Sequence, residues 1–147
     1  MDRAALDFAI ARGLPHGGWC PAGRAAEDGA IPRRYRLKET PSPTYVQRTE
    51  WNVRDSNGTV IFTVSEEMFG GSQLTAEFAK RHGKPWRHLS RRRDEADAAQ
   101  KLLTFVREHG ITILNVAGPR ASTEPEAAVF AHAVLQAAFG DEQKPPQ

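Results

Sequence analysis

The chain has a single cysteine, Cys20, and that scarcity excludes an internal disulfide and any cysteine-cluster zinc site. Long hydrophobic runs are missing too, since no stretch approaches the roughly 20 apolar residues that a membrane helix needs. The N-terminus opens on an acidic and a basic residue, Asp2-Arg3, in place of a signal peptide. Both features point to a cytoplasmic protein with no membrane partner. An excess of one charge is also lacking. The formal net charge is only +2, so the chain carries no global positive field of the sort that nucleic-acid binders use. The local run Arg91-Arg92-Arg93 has no interleaved aromatic residues to stack on bases and reads as a solvated turn, so no nucleic-acid partner is expected. His16, His82, His88, His109 and His132 are scattered without metal-ligand spacing, and no protein-bound metal ion is expected either.

What is present is enough to fold. Hydrophobic residues make up 39% and charged residues 26% of 147 positions, which suits one domain with one core and a solvated surface. Residues 1–139 read as that domain and 140–147 as a mobile tail.

Ala5, Leu6, Ala9 and Ile10 recur at helical spacing from Asp2 to Arg12, with Gly13 placed to end the helix. Gly17 to Cys20 reads as a short strand, followed by a long loop broken by Pro21, Gly23, Gly29 and Pro32 that carries Arg24, Glu27 and Asp28. Ser42-Pro43 reads as an N-cap with proline at the first helical position, starting a helix through Val53 that ends at Asp55 to Gly58. The β-branched run Thr59 to Val64 suits a strand buried on both faces of a parallel sheet. Gly70-Gly71-Ser72 then leads into a helix stopped by Gly83, and Pro85 to Leu89 forms a further strand. A helix carrying Ala99, Leu102, Leu103 and Val106 ends at Gly110, before a strand from Ile111 to Val116. The last helix runs from about Glu124 to Phe139, with Thr123 as cap and Glu126 completing a capping box.

Strands alternating with helices imply parallel pairing, hence an α/β Rossmann-like doubly wound sheet with ligands at the carboxyl ends of its strands. Three loops at such ends gather glycine, hydroxyl and basic side chains: Gly70-Gly71-Ser72, Gly118-Pro119-Arg120 and the loop bearing Arg24. Gly70 and Gly71 let a backbone approach a phosphate, and the following helix, with Thr75 in its first turns, points unpaired N–H groups at it. Arg120 adds a guanidinium ahead of the last helix. Arg48, Glu50, Arg54 and Glu77 lie on helices, where surface ion pairs are the default reading.

Several motifs in order resemble the molybdenum-cofactor carrier family: Asp2-Arg3-Ala4-Ala5-Leu6-Asp7, Gly17-Gly18-Trp19-Cys20-Pro21, Ala26-Glu27-Asp28-Gly29, Arg48-Thr49-Glu50-Trp51-Asn52-Val53 and Leu114-Asn115-Val116-Ala117-Gly118-Pro119-Arg120. The resemblance implies a Rossmann-like fold, a small anionic phosphorylated ligand of pterin or nucleotide type, and molybdenum cofactor as cargo. The wider superfamily includes the cytokinin-activating phosphoribohydrolases, also called lysine-decarboxylase-like, which cleave the N-glycosidic bond of a nucleoside monophosphate. Their Pro-Gly-Gly-x-Gly-Thr-x-x-Glu motif aligns with Gly70, Gly71 and Glu77, and their catalytic arginine with Arg48. Phe69, Gln73 and Leu74 replace the proline, third glycine and threonine, and Thr49 replaces the lysine after the arginine. A side chain at Gln73 obstructs the backbone approach that glycine permits, so binding is expected before hydrolysis, with Arg48 and Glu77 catalytic only if hydrolysis occurs. A chain reduced to a remnant without a competent site is the third reading. Family members carry a short strand and Ser-Gly-Gly-Gln-Thr-Gly ahead of the Asp-Arg-Ala-Ala-Leu-Asp segment, which leads to the expectation that this sheet lacks the family's first strand and that the native product is longer. Relatives of this fold commonly dimerise through helices beside the site, which leaves a homo-oligomer open, with Tyr45, Trp51 and Trp86 serving core or interface.

Overall fold

A computed structural model describes residues 2–11, 17–20, 22–26, 29–32, 34–42, 44–120 and 122–140. Gly13, His16, Pro21, Glu27, Asp28, Pro43 and the tail after Gly140, all named above, lie outside the described residues.

The chain begins with helix α1 (Asp2–Ala11), strand β1 (Trp19–Cys20), a tight 3-10 turn (Ala22–Arg24), and the short strands β2 (Ala25–Ala26), β3 (Gly29–Ala30) and β4 (Lys38–Glu39). Then come α2 (Tyr45–Arg54), β5 (Gly58–Thr63), α3 (Gly70–Arg81), β6 (Trp86–Ser90), α4 (Arg91–Asp94), α5 (Ala98–His109), β7 (Leu114–Ala117) and α6 (Pro125–Phe139). Strands β6, β5 and β7 form a parallel sheet in that order, with Ile61 opposite His88 on one side and Ala117 on the other. β1 pairs in parallel with β4, and β2 with β3 as an antiparallel hairpin.

The β-branched run of β5 lies at the centre with every residue buried, as a strand covered on both faces requires. One face carries the main core, where Val60 and Phe62 meet Leu102 and Phe105 of α5, Phe130 and Val134 of α6 and Phe8 of α1. Phe62 and Phe130 meet edge to face with centroids 5.7 Å apart, a geometry their ring quadrupoles favour. On the other side α2 and α3 join through Val53, Phe78 and Ala79, with Trp86 packed against them. Helices therefore flank the sheet on both faces.

Several boundaries differ from the sequence reading for identifiable reasons. The loop after Cys20 contains β2, β3 and β4, whose two-residue lengths leave no periodicity to read. α2 starts at Tyr45 with Thr44 as its N-cap residue, later than Ser42-Pro43 suggested; Ser42 does not cap it but shapes the approach, its Oγ accepting from the Thr44 N–H at 3.1 Å and its own N–H donating to Gln47 Oε1 at 2.8 Å. Gly70, Gly71 and Ser72 are the first turn of α3 and not a loop ahead of it. Arg91 to Arg93 form α4 instead of a solvated turn: Arg91 bonds Glu95 and Glu126, and Arg93 bonds Asp94. β7 begins only at Leu114, because Asn57 Oδ1 takes the backbone N–H groups of Thr112 and Ile113. The capping box on the last helix does not form; Glu124 is the N-cap residue and Glu126 reaches Arg91.

Candidate functional site

Parallel pairing puts the carboxyl ends of β5, β6 and β7 at Thr63, Ser90 and Ala117 on one edge of the sheet. α2 leads into the start of β5 and α3 leaves its end, so both helices begin at that edge. The structure gathers three groups there.

The first is an aromatic and basic cluster. The Arg120 guanidinium carbon lies 4.5 Å, and that of Arg48 5.3 Å, from the centroid of the Tyr45 ring. Two positions read separately from the sequence, on α2 and after β7, thus share one aromatic platform, a cation–π arrangement in which the ring holds both cations in place. Arg120 is exposed and Tyr45 half-buried, so the cluster faces solvent. Tyr45 was not singled out as a site residue; its position one turn before Arg48 was the only signal. Gly118 is half-buried in the connection from β7 to Arg120.

The second group is the start of α3. Gly70 has φ +52, a left-handed conformation that glycine adopts without penalty. A Cβ on Gly70 or Gly71 would meet no atom within 4 Å, so nothing in the surrounding chain demands a bare backbone at Gly71. Ser72 is buried, and its Oγ has no hydrogen-bond partner among the described residues. Thr75 commits its hydroxyl to Gly71 O at 2.8 Å and belongs to the helix rather than to a ligand. Glu77 is exposed on α3 and makes no side-chain hydrogen bond or ion pair among the described residues. Glu50 pairs with His82 at 2.9 Å and Arg54 with Asp55 at 2.8 Å, as the default reading had it.

The third group is one that sequence reasoning missed. Glu124, half-buried ahead of α6, accepts the backbone N–H of Val64 at 3.2 Å and of Ser65 at 3.1 Å through one carboxylate oxygen. It closes the loop after β5 onto the start of α6. Beyond it, Asp94 is buried and accepts from the Ser90 N–H at 2.8 Å, Arg93 Nε at 3.0 Å and Lys101 Nζ at 2.7 Å. Burial alone would raise its pKa, but the Arg93, Lys101 and Ser90 hydrogen bonds outweigh that and hold the carboxyl well below the ordinary carboxylate range. His88 bonds Thr63 Oγ1 at 2.6 Å, and its pKa is lowered by burial and by the nearby Arg93 charge.

Arg24 stands apart. Its guanidinium donates to the carbonyls of Ile31, Leu37, Pro32 and Tyr35 at 3.0, 3.2, 3.0 and 2.8 Å. These bonds take four of the five N–H donors of the fork that the sequence reading offered to a ligand, so Arg24 shapes the loop. Its own backbone sits at φ 56, which costs a non-glycine residue about 1–2 kcal/mol, and the four bonds offset it.

A Rossmann-like α/β domain with a basic aromatic cluster and a glycine-opened helix start at its strand ends is the class of protein this geometry defines. The comparisons with known proteins agree. Residues 1–139 match the model of the circularly permutated YpsA SLOG family, and the chain belongs to that family. Among solved structures it is similar to one described as a "putative molybdenum carrier protein" from Syntrophus aciditrophicus SB, with 43% identity, a TM-score of 0.90, and 93% of this chain and 87% of that one covered. No curated protein matches. The family read from the motifs and the Rossmann-like fold are thereby supported. No helix among the described residues is long and apolar enough to cross a membrane.

Proposed function

We propose that this protein is a carrier that binds a small phosphorylated ligand of pterin or nucleotide type at the carboxyl ends of its strands, molybdenum cofactor being the cargo. The observation that carries the reading is the convergence of Arg48 and Arg120 on Tyr45. Two cations suit a phosphate, and an aromatic ring suits a planar heterocycle. The unpartnered Ser72 hydroxyl, buried in the first turn of α3, supports it, because an unsatisfied buried donor costs about 1–3 kcal/mol until a partner completes it. In this reading recognition rests on phosphate and ring. The solved relative's description as a "putative molybdenum carrier protein" is compatible with that cargo.

The test is calorimetric titration of isolated molybdenum cofactor, and of AMP and GMP, into the protein and its Arg120→Ala variant. Binding of the cofactor, weakened about tenfold in Arg120→Ala (roughly 1.4 kcal/mol) and further by raised salt, is the expected result. Absence of binding at millimolar ligand, or binding indifferent to Arg120, overturns the reading. Release of free base from either nucleotide, lost in Glu77→Gln, would replace it with a phosphoribohydrolase.

A further inference from the structure

The contact that Glu124 makes with the loop after β5 lies at a particular place in the sheet. From Thr63 the chain leaves β5 for α3, on the face where Val53 and Phe78 pack. From Ala117 it leaves the neighbouring β7 for α6, on the opposite face, where Phe130 packs against Phe62. Adjacent strands whose chains depart to opposite faces leave a crevice between their carboxyl ends, and open α/β sheets take ligands there. Glu124, carried by the turn after β7, reaches across to the end of β5 at this point.

In a regular strand successive N–H groups point to opposite sides. At Val64 and Ser65 they converge instead on one oxygen, Glu124 Oε2, at 3.2 and 3.1 Å. Successive N–H groups turned to one point form a concave backbone arrangement that binds anions, and here it holds a carboxylate. Other bonds hold the pair from behind. Val64 O accepts from the Arg92 N–H at 3.2 Å and from Ser90 Oγ at 3.1 Å, Ser65 O accepts from Thr63 Oγ1 at 2.6 Å, and Ser65 Oγ donates to Glu67 O at 2.9 Å. The pair therefore keeps its shape when the carboxylate leaves. Glu124, for its part, stands at the N-cap of α6 without capping it by a side-chain bond. Its turn is exposed at Arg120, Ser122 and Thr123, and Arg120 O accepts the Glu124 N–H at 3.0 Å.

We propose that the Val64 and Ser65 N–H pair is an anion site which the protein's own Glu124 fills, and that a phosphate group of the ligand enters by displacing the carboxylate. A carboxylate and a phosphate cannot share the two donors, because like charges at that distance repel. The exchange trades one set of charge-assisted bonds for another, and the turn that gives up the carboxylate is the one that carries Arg120. Glu124 is thus an internal competitor that lowers the affinity of the site for phosphorylated ligands. The ligand's identity rests on the carrier reading; the site itself is defined by the carboxylate and the two N–H groups.

The probe is inorganic pyrophosphate, which offers phosphate without a ring, titrated calorimetrically into the full chain and its Glu124→Ala and Glu124→Gln variants while amide exchange at Val64 and Ser65 is followed. Glu124→Ala should bind pyrophosphate about tenfold more tightly than the unaltered protein. Pyrophosphate should also slow exchange at both amides, which the substitution alone speeds. Glu124→Gln, whose neutral amide keeps an acceptor in place, should fall between the two. Equal or weaker binding in both variants overturns the proposal. So does tighter binding that leaves exchange at these two amides unchanged, since that is the mark of a lost surface charge. Cofactor binding that depends on Arg120, with pyrophosphate indifferent to Glu124, sinks this inference and spares the carrier reading. A pyrophosphate gain and amide protection in Glu124→Ala, with no cofactor binding by any form, supports the anion site and sinks the carrier reading.

Discussion

Replacing Asp94 by asparagine keeps the shape of the side chain and removes its charge, which makes it a clean probe of the cluster that ties the end of β6 to α5. The wild-type carboxylate is buried and accepts bonds from Ser90 N–H, Arg93 and Lys101. Bonds to charged groups contribute about 1.5–3 kcal/mol each when considered singly. Arg93 and Lys101 are 44% and 31% exposed, however, and regain water when the charge is lost. Asparagine also keeps one oxygen for the Ser90 N–H. The expected net loss is therefore about 2 kcal/mol, read as a urea midpoint lower by roughly 1 M. The pH dependence follows from the direction of the shift. A carboxyl whose folded pKa is depressed contributes stability that is complete above its unfolded value of 3.8 and disappears as pH falls through the lower folded value. The gap between wild type and Asp94→Asn should stay constant from pH 8 to about pH 5 and narrow only in stronger acid. A gap under 0.5 kcal/mol at pH 7, or one that closes between pH 7 and pH 5, would refute the reasoning.

Two further perturbations follow from the loops. Arg24→Ala should destabilise by about 2 kcal/mol, because it removes the guanidinium bonds to Ile31 O and Leu37 O, leaves Pro32 O and Tyr35 O with only their backbone donors, and places alanine at φ 56. Arg24→Gly should be milder by about 1 kcal/mol, since glycine tolerates that backbone; equal urea midpoints for the two variants would contradict the left-handed conformation. Glu124→Ala should cost about 1–2 kcal/mol and speed amide exchange at Val64 and Ser65, whereas Glu124→Gln, which keeps an acceptor, should stay near wild type. Unchanged exchange in Glu124→Ala would show that those N–H groups have another partner.

The strands and helices with strong chemical signatures were legible in the sequence. β5 declared itself by six consecutive residues suited to a strand, and α5 by its apolar stripe and by Gly110, which takes φ 57 at the helix end. Short elements were not legible: β2, β3 and β4 are two residues each, too short for any periodicity, and β4 owes its existence to pairing with β1 nineteen residues earlier. Boundaries failed where a side chain competed for the backbone, as Asn57 does ahead of β7. In the candidate site, charge and glycine content picked out Arg48, Arg120 and the start of α3. Only the fold could show that Arg48 and Arg120 share Tyr45, that Thr75 and Arg24 are committed elsewhere, or that Glu124 fastens a loop 59 and 60 residues away in sequence.

The cage around Arg24 has an evolutionary corollary. All four of its acceptors are main-chain carbonyls, which every amino acid supplies. The side chains at Ile31, Pro32 and Leu37 take no part in these bonds, while the guanidinium that gathers the four carbonyls is encoded at one codon. Lysine cannot inherit the task, because a point charge on a flexible stem does not reproduce a planar fork of donors. Such a loop can explore new surface chemistry over many generations and yet be lost to a single substitution.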